Sequence, residues 1–91
     1  MHEKVEKIRI TVRHVRAGRA LLDWTVAQLA EKAGLSVDTL TKWENRRSQP
    51  RETTRDAIYK ALTEAGIVFS NGDEPGVKLI LKPSQHIERM T

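Results

Sequence analysis

The sequence predicts a mainly α fold of four short helices followed by a C-terminal β-hairpin. Residues that commonly cap helix N-termini stand ahead of three helical segments, at Thr11, Thr25 and Ser36. Gly34 and Gly66 follow two helical segments, where a left-handed residue often ends a helix. Beyond Gly66, apolar residues alternate on both sides of a turn-rich stretch, which is typical of a hairpin. A chain of 91 residues provides one hydrophobic core and no separate catalytic domain.

The first helix is predicted to run from Thr11 to about Leu22. Gly18 within it disfavours the helix by roughly 1 kcal/mol relative to Ala, so we expect a close helix crossing there. Val15, Ala20 and Leu22 are expected to face inward, and Arg13 and Arg16 to face solvent.

Residues 1–10 form an extension ahead of this helix, and their apolar residues fit two patterns. Ile8, Ile10 and Val12 alternate as in a strand. Val5, Ile8, Val12 and Val15 are spaced as in a helix. Both alternatives stay open, and a strand at residues 7–12 would add to the sheet of the hairpin.

The second and third predicted helices meet at a tight turn. Thr25 and Gln28 have the spacing of a capping box that opens the second helix, and Gly34 ends it. Ser36 caps the third helix, so about three residues join the two. The apolar residues expected between the helices are Leu29, Ala33, Leu35, Leu40 and Trp43, with Ala30 allowing a close crossing and Trp24 closing the bottom of the core.

Short or hydrogen-bonding side chains remain on the outer face of the third helix. They are Ser36, Val37, Asp38, Thr41, Lys42 and Asn45. An ordinary solvated helix face more often carries long Glu and Lys pairs. This face therefore favours a DNA-recognition helix of a helix-turn-helix over plain solvent exposure.

Four segments at fixed spacings match a known pattern: AGRALLDW at residues 17–24, QLAEKAGLS at 28–36, WEN at 43–45, and Pro50. Together with an amphipathic last helix that ends in Ala and Gly, they resemble the lambda-repressor-like, Xre/Cro family of prokaryotic helix-turn-helix regulators. The resemblance extends over residues 11–68. It implies a four-helix, lambda-repressor-like DNA-binding domain at residues 11–66.

The resemblance also implies roles for individual residues. The positions that meet DNA bases or backbone are those of Ser36, Val37, Asp38, Thr41 and Lys42, and a phosphate is met by Thr25 with the start of the second helix. Arg19 and Glu44 occupy the positions of an internal ion pair. Val26 departs from the pattern because the family often has Gln there, so one hydrogen bond that would support a phosphate and a base contact is missing.

The chemistry of the side chains indicates their targets. Val37 suits a thymine methyl group, Lys42 a guanine, and Asn45 a base edge or a phosphate. Asp38 fits two interpretations: it accepts from a cytosine amino group, or it meets no base and favours the positive end of the helix dipole.

The segment after the third helix is basic and leads into the fourth. Arg46, Arg47 and Arg51 either contact the sugar-phosphate backbone or form an ordinary solvated loop. Pro50 suits the start of a helix, and the fourth helix is predicted over residues 52–65. Its apolar stripe consists of Ile58, Ala61, Leu62 and Ala65.

The hairpin is predicted as a strand at residues 67–69, a turn at 70–76 and a strand at 77–82, with a flexible tail at 83–91. Leu79 and Leu81 lie on one face of the second strand and Ile80 on the other, so both faces need cover. A homodimer joined through Val77, Leu79 and Leu81 would supply it. A monomer whose hairpin packs on its own helices is the alternative.

Composition further limits the classes of partner, metal site and activity that fit this chain. A net charge of +4 favours a polyanionic partner, and the lack of Cys excludes disulfides and thiolate zinc sites. His2, His14 and His86 lack metal-ligand spacing, so we expect no metal and no cofactor. The sequence shows no pair of carboxylates and no nucleophile with a neighbouring base in the arrangement of an active site, so we do not expect an enzyme. No apolar run approaches the roughly 20 residues that span a bilayer, so we expect a cytoplasmic protein.

These observations together predict a sequence-specific transcriptional regulator. It would bind double-stranded DNA as a homodimer and act most simply as a repressor of a palindromic operator. The alternative is an antitoxin-type interaction module, which binds a protein toxin and regulates its own operator.

Overall fold

The computed structural model describes residues 8–71 and 73–81 of the chain. Its elements are, in order, α1 (Val12–Leu22), α2 (Val26–Ala33), α3 (Val37–Glu44), α4 (Glu52–Glu64), β1 (Ile67–Ser70) and β2 (Gly76–Leu79). The prediction of a mainly α fold with four helices and a C-terminal hairpin is confirmed. The predictions for residues 1–7 and 83–91, which include His2 and His86, lie outside the described residues.

Local capping chemistry sets three of the four helix starts. Thr11 and Thr25 each accept a hydrogen bond from the backbone N–H three residues later, and each closes a capping box, with His14 and Gln28. The Ser36 side chain accepts from the N–H of Thr39. The start of α4 differs, because its N-cap residue makes no side-chain hydrogen bond to the helix.

The described residues before α1, residues 8–11, adopt neither of the two structures that the pattern of the extension allows. Residues 8–11 have irregular backbone and α1 begins at Val12, so the described part of this segment forms neither helix nor strand. Ile10 is fully buried, and its carbonyl oxygen accepts a hydrogen bond from Arg55 of α4 at 2.6 Å. This carbonyl is therefore bound by a side chain and not by a neighbouring strand.

The inward face of α1 differs from the predicted one. Val15 is buried as expected and Leu22 is half-buried, but Ala20 is exposed. Five residues in an α-helix rotate the side chain by about 140° relative to Val15, which turns Ala20 away from the core. The buried residues instead include His14 and Gly18.

Gly18 marks the close crossing that its position predicts. A Cβ atom at this position would lie 3.3 Å from a methyl carbon of Leu62, so the absence of a side chain lets α1 approach α4. The largest fully buried side chains among the described residues are Ile10, Val15, Leu29, Leu40, Ile58, Leu62 and Ile67. Trp24, Ala33 and Leu35 are only half-buried and pack against this core from its edge.

The connection from α4 to the hairpin depends on Gly66. It has a φ of 108°, and a Cβ there would lie 2.6 Å from the carbonyl oxygen of Ile80. Both the backbone conformation and the close approach therefore require glycine. α4 ends at Glu64, with Ala65 as its C-cap, one residue earlier than predicted.

The hairpin pairs β1 and β2 antiparallel, with Ile67 opposite Leu79 and Phe69 opposite Val77. β2 is shorter than the predicted strand at 77–82, because it begins at Gly76 and ends at Leu79. The sheet has two strands within the described residues, so the additional strand considered at residues 7–12 is not found at residues 8–12.

Aromatic contacts fasten the hairpin to the helices. The ring of Phe69 lies between His14 of α1, at 5.4 Å edge-on, and Tyr59 of α4, at 5.7 Å stacked. The Nε2 atom of His14 lies 2.9 Å from the carbonyl oxygen of Ser70, and its Nδ1 atom accepts from the N–H of Thr11. The two ring nitrogens of His14 thus join the start of α1 to the end of β1. None of the described helices has the length and apolarity needed to cross a bilayer.

Candidate nucleic-acid interface

The amphipathic pattern of α3 separates a buried face from an open one. Leu40 and Trp43 are buried against the core, while the side chains on the opposite face point to solvent. Val37, at the start of this open face, is 47% exposed. We call the open face the recognition surface; it consists of Val37, Asp38, Thr41, Lys42 and Asn45, of which Thr41 is half-buried and the others are exposed.

Ser36 and Thr25, the N-cap residues of α3 and α2, differ in whether their hydroxyl hydrogen is already used. The Ser36 hydroxyl accepts from the N–H of Thr39 at 3.1 Å and donates to Thr39 Oγ1 at 2.8 Å, so its hydrogen is already used. The Thr25 hydroxyl accepts from the N–H of Gln28 at 3.1 Å, which leaves its hydrogen for an anion. Of the two, Thr25 is the better hydroxyl donor to a phosphate.

Asp38 and Lys42 form an ion pair one helical turn apart. The Lys42 Nζ atom lies 3.1 Å from Asp38 Oδ2, and both side chains are more than half exposed. Exposed pairs of this kind are weak and exchange readily for stronger partners. In the absence of DNA, the ammonium group of Lys42, which suits a guanine, is therefore paired with the carboxylate of Asp38, and this weak pair can be exchanged for a base.

A basic loop follows α3. Arg46, Arg47 and Arg51 are all exposed. Arg46 has a φ of 60°, and the N–H groups of Arg46 and Arg47 donate to the carbonyls of Trp43 and Lys42 at 2.9 and 2.8 Å. These two bonds close the helix in the way that a C-terminal glycine usually does. Here an arginine occupies the left-handed position, at a conformational cost of about 1 kcal/mol.

A groove of about 350 Å³ separates α3 from the start of α4. Asp38, Lys42 and Arg51 line it together with four residues that the sequence pattern did not single out: Thr39, Ser48, Gln49 and Thr54. Their only signal in the sequence is their proximity to the two ends of α3 and to the start of α4. The groove places additional hydroxyl and amide groups beside the recognition surface.

Arg19 and Glu44 lie behind the recognition surface and connect α1 to the end of α3. Arg19 donates from Nε and Nη2 to the two carboxylate oxygens of Glu44, at 2.8 and 2.7 Å. Its Nη1 donates to the carbonyl of Trp24 at 3.0 Å. The hydrogen bonds to Glu44 raise the pKa of Arg19, and the charge of Glu44 adds to this effect while burial opposes it.

Arg55 is a second internal arginine, which the sequence pattern missed. Its guanidinium carbon lies 5.1 Å from the centre of the Trp43 ring, and the side chain is buried. Its Nε atom has no hydrogen-bond partner among the described residues. Arg55 lies three residues before Ile58, so its place on the apolar stripe of α4 was a usable signal.

The residues predicted for a dimer contact lie on the inner side of the hairpin. Val77 and Leu79 are half-buried and pack against the core of their own chain, and Leu81 is also half-buried. Large apolar side chains that remain exposed on the hairpin are Val68, at 40%, and Ile80, at 56%. A role for Val77, Leu79 and Leu81 in dimerisation stays a prediction.

Among the described residues, no cluster of His, Asp and Glu could hold a metal ion.

A comparison with protein families agrees with this geometry. The helix-turn-helix family model matches residues 15–62, just over half of the 91 residues. The match covers all of α2 and α3 and most of α1 and α4, and it leaves the hairpin outside. The chain matches none of the curated proteins compared with it. The chain therefore belongs to the Xre/lambda-repressor-like helix-turn-helix family, whose domain is that of a DNA-binding regulator.

Proposed function

We propose that the protein is a sequence-specific transcriptional regulator that binds double-stranded DNA as a homodimer and represses transcription at a palindromic operator. The observation that carries the proposal is the recognition surface itself. It is an exposed helix face of short and polar side chains, with an exposed aliphatic residue at its start and a basic loop at its end.

In this proposal α3 lies in the major groove, where bases differ in their hydrogen-bonding groups. Val37 contacts a thymine methyl group, Lys42 leaves Asp38 to donate to a guanine, and Asn45 donates to a base edge or a phosphate. The exposure of all three side chains and the weakness of the Asp38 pair support this assignment.

Phosphate contacts come from the two sides of α3. The hydroxyl group of Thr25, whose hydrogen is free, and the capped start of α2 contact phosphates of one DNA strand. Arg46, Arg47 and Arg51 contact the phosphates of the other strand, because all three are exposed and Arg51 lines the groove at the start of α4. These contacts fix the register of the protein on the duplex and supply the salt-dependent part of the affinity.

Repression is the simplest mode of action for such a domain, because a protein bound across a promoter excludes polymerase without any further activity. The proposed site of action is the cytoplasm, where a prokaryotic operator is found. No step of this function uses a cofactor.

Selection of bound sequences from random double-stranded DNA tests the proposal with the full chain. We expect an enriched palindrome whose half-site centres are separated by about one helical turn, roughly 34 Å. The variant with both Lys42→Ala and Asn45→Ala should lose the enrichment. Lys60→Ala is the matched control, because Lys60 is exposed on α4 outside the recognition surface. Binding that is sensitive to salt but enriches no sequence would contradict sequence-specific regulation.

A second candidate function follows from the apolar residues exposed on the hairpin, Val68 and Ile80, which lie outside the family match. An antitoxin-type protein would cover them with a toxin and bind its operator as well. Co-expression with the product of an adjacent reading frame separates the two functions. A stable complex lost in the variant with both Val68→Ser and Ile80→Ser would favour the antitoxin.

A further inference from the structure

A second groove lies between α2 and α4. It consists of two adjoining cavities of about 260 and 340 Å³, which share Lys32, Ala61 and Glu64. The ring of Trp24 lines one end. The alanines that line the rest of its floor are Ala33, Ala57, Ala61 and Ala65. None of the lining residues belongs to the recognition surface or to the groove beside α3, so this groove is a separate feature.

The rim of this groove carries charges without ionic partners. Lys32, Lys60 and Glu64 are exposed, and none of them forms an ion pair with another described residue. Glu64 is the last residue of α4, where the helix dipole disfavours a carboxylate. A cation from another segment would offset this unfavourable position, so the rim favours an occupant that carries both signs of charge.

The hairpin directs the chain toward this groove. Ser70, at the end of β1, lies 2.9 Å through its carbonyl oxygen from Nε2 of His14. Ile67, at the start of β1, lies beside Gly18, one turn further along α1. Since β2 is antiparallel to β1, it runs in the same direction as α1, toward Trp24.

The end of β2 adjoins the same end of the groove. The N–H of Ile80 donates to the carbonyl of Gly66 at 2.8 Å, and Gly66 directly follows Ala65 of the groove floor. Residues 82–91 lie outside the described residues, and they begin two residues after this bond. The chain therefore leaves the hairpin at the end of the groove that Trp24 and Ala65 form.

We propose that residues 82–91 occupy the groove of their own chain, with Ile87 and Met90 as the apolar anchors on its floor. The anchors are three residues apart, so one helical turn places them on one face. Met90 contacts the half-buried ring of Trp24, a favourable partner for a thioether sulfur. The segment is then held in a defined position, in place of the flexible tail predicted at residues 83–91.

The charges of the segment match those of the rim. In one helical turn Glu88 and Arg89 lie on opposite flanks of the apolar face. The groove has Lys32 on its α2 side and Glu64 on its α4 side. One direction along the groove therefore pairs Glu88 with Lys32 and Arg89 with Glu64 at the same time.

The length of the connection is sufficient. Six residues lead from Leu81 to Ile87 and reach roughly 20 Å when extended. The groove floor from Ala57 to Ala65 is about 12 Å long at the rise of a helix. Because the groove shares no residue with the recognition surface, the contact is tested without DNA and its outcome is independent of the proposed function.

Nuclear magnetic resonance of the full chain with ¹³C-labelled methionine methyl groups tests the contact. The chain has two methionines, so the signal lost in Met90→Leu belongs to Met90. We expect a nuclear Overhauser effect from this methyl group to the Trp24 ring, together with an upfield ring-current shift. A Met90 signal at its random-coil position without the Overhauser effect would overturn the proposal.

A mixture of labelled and unlabelled chains shows which copy supplies the segment. We expect the Overhauser effect to be absent from a spectrum that is filtered for contacts between chains. An effect that appears only between chains would place the segment of a second copy in the groove, and the intramolecular contact would be wrong.

A variant at the other anchor tests the apolar contact. Ile87→Ser should abolish the Overhauser effect of Met90 and leave the helical circular dichroism unchanged. Gln85→Ser is the matched control, because Gln85 makes no contact in this arrangement, and it should retain the effect. An Ile87→Ser chain with the wild-type effect contradicts the proposed docking.

A charge exchange tests the rim. Arg89→Glu and Glu64→Lys should each reduce the ring-current shift of Met90, and the double variant should restore it. Glu64→Lys leaves α4 intact, because a cation is favourable at a helix C-terminus. Single variants that leave the shift unchanged, or a double variant that fails to restore it, would overturn the proposed pairing.

Discussion

The guanidinium group of Arg19 holds the carboxylate of Glu44 by two parallel hydrogen bonds, at 2.8 and 2.7 Å, and thereby joins α1 to the last turn of α3. The side chain of Glu44 is 7% exposed and that of Arg19 is 20% exposed. The recognition surface is thus held from behind by a paired charge that is largely removed from water.

The two partners should be unequally sensitive to removal. Arg19→Ala leaves the more buried carboxylate without its partner and is expected to lower the free energy of unfolding by about 3 kcal/mol or more. Glu44→Ala should cost less, because Arg19 reaches water and keeps its bond to the Trp24 carbonyl. Urea denaturation of both variants measures the difference. A larger loss for Glu44→Ala would contradict this explanation.

The pKa of Arg19 determines the pH dependence of its contribution. Since the hydrogen bonds to Glu44 raise this pKa above its ordinary value, the stabilisation by Arg19 is fully present below that ordinary value. It is lost only as the pH rises through the still higher value of the folded state. Titration of Arg19 should therefore add no slope to the stability near neutral pH.

Arg55 should be a second stability determinant. Arg55→Ala removes the bond to the buried carbonyl of Ile10 and the contact with the Trp43 ring, and we expect a loss of about 2 to 3 kcal/mol in the free energy of unfolding. Arg13→Ala is the control, because Arg13 is exposed on α1 and should change stability by less than about 0.5 kcal/mol. Thermal unfolding compares the two, and equal effects would rule out a structural role for Arg55.

Arg46→Gly should move stability and DNA affinity in opposite directions. Glycine adopts the φ of 60° without a Cβ penalty, so the free energy of unfolding should rise by about 0.5 to 1 kcal/mol. Loss of one phosphate contact should lower the slope of log affinity against log salt by about 1. Arg47→Gly is the matched control, because it removes the same charge at a position without positive φ and should not stabilise the chain. An unchanged salt slope for Arg46→Gly would exclude Arg46 from the DNA contact.

Asp38→Asn distinguishes the two interpretations of this carboxylate. If Asp38 serves only the helix dipole and its Lys42 pair, the variant frees Lys42, and affinity should rise for all sequences with a salt slope steeper by about 1. If Asp38 accepts from a cytosine, discrimination at one base pair should fall, by about 1 to 3 kcal/mol. Competition binding with single-base operator variants separates these results. Glu31→Gln, exposed on α2, controls for the loss of one negative charge.

Helix starts and the turn between α2 and α3 were predictable because their causes are local. Thr25 and Gln28 form a capping box within four residues, and Gly34 takes a φ of 72° directly after α2. The polar outer face of α3 also follows from helical periodicity alone, because the angle between neighbouring side chains is set by the backbone.

The sequence by itself determined the order of elements, the caps and the face of α3 that is left open. Only the tertiary structure decided that His14 is buried, which groups His14 and Arg55 bind, that β2 ends at Leu79, and which hairpin residues stay exposed. His14 bonds the carbonyl of Ser70, and Arg55 bonds that of Ile10, across 56 and 45 residues of sequence. Polar side chains are buried where distant backbone groups satisfy them, and no local pattern encodes that meeting.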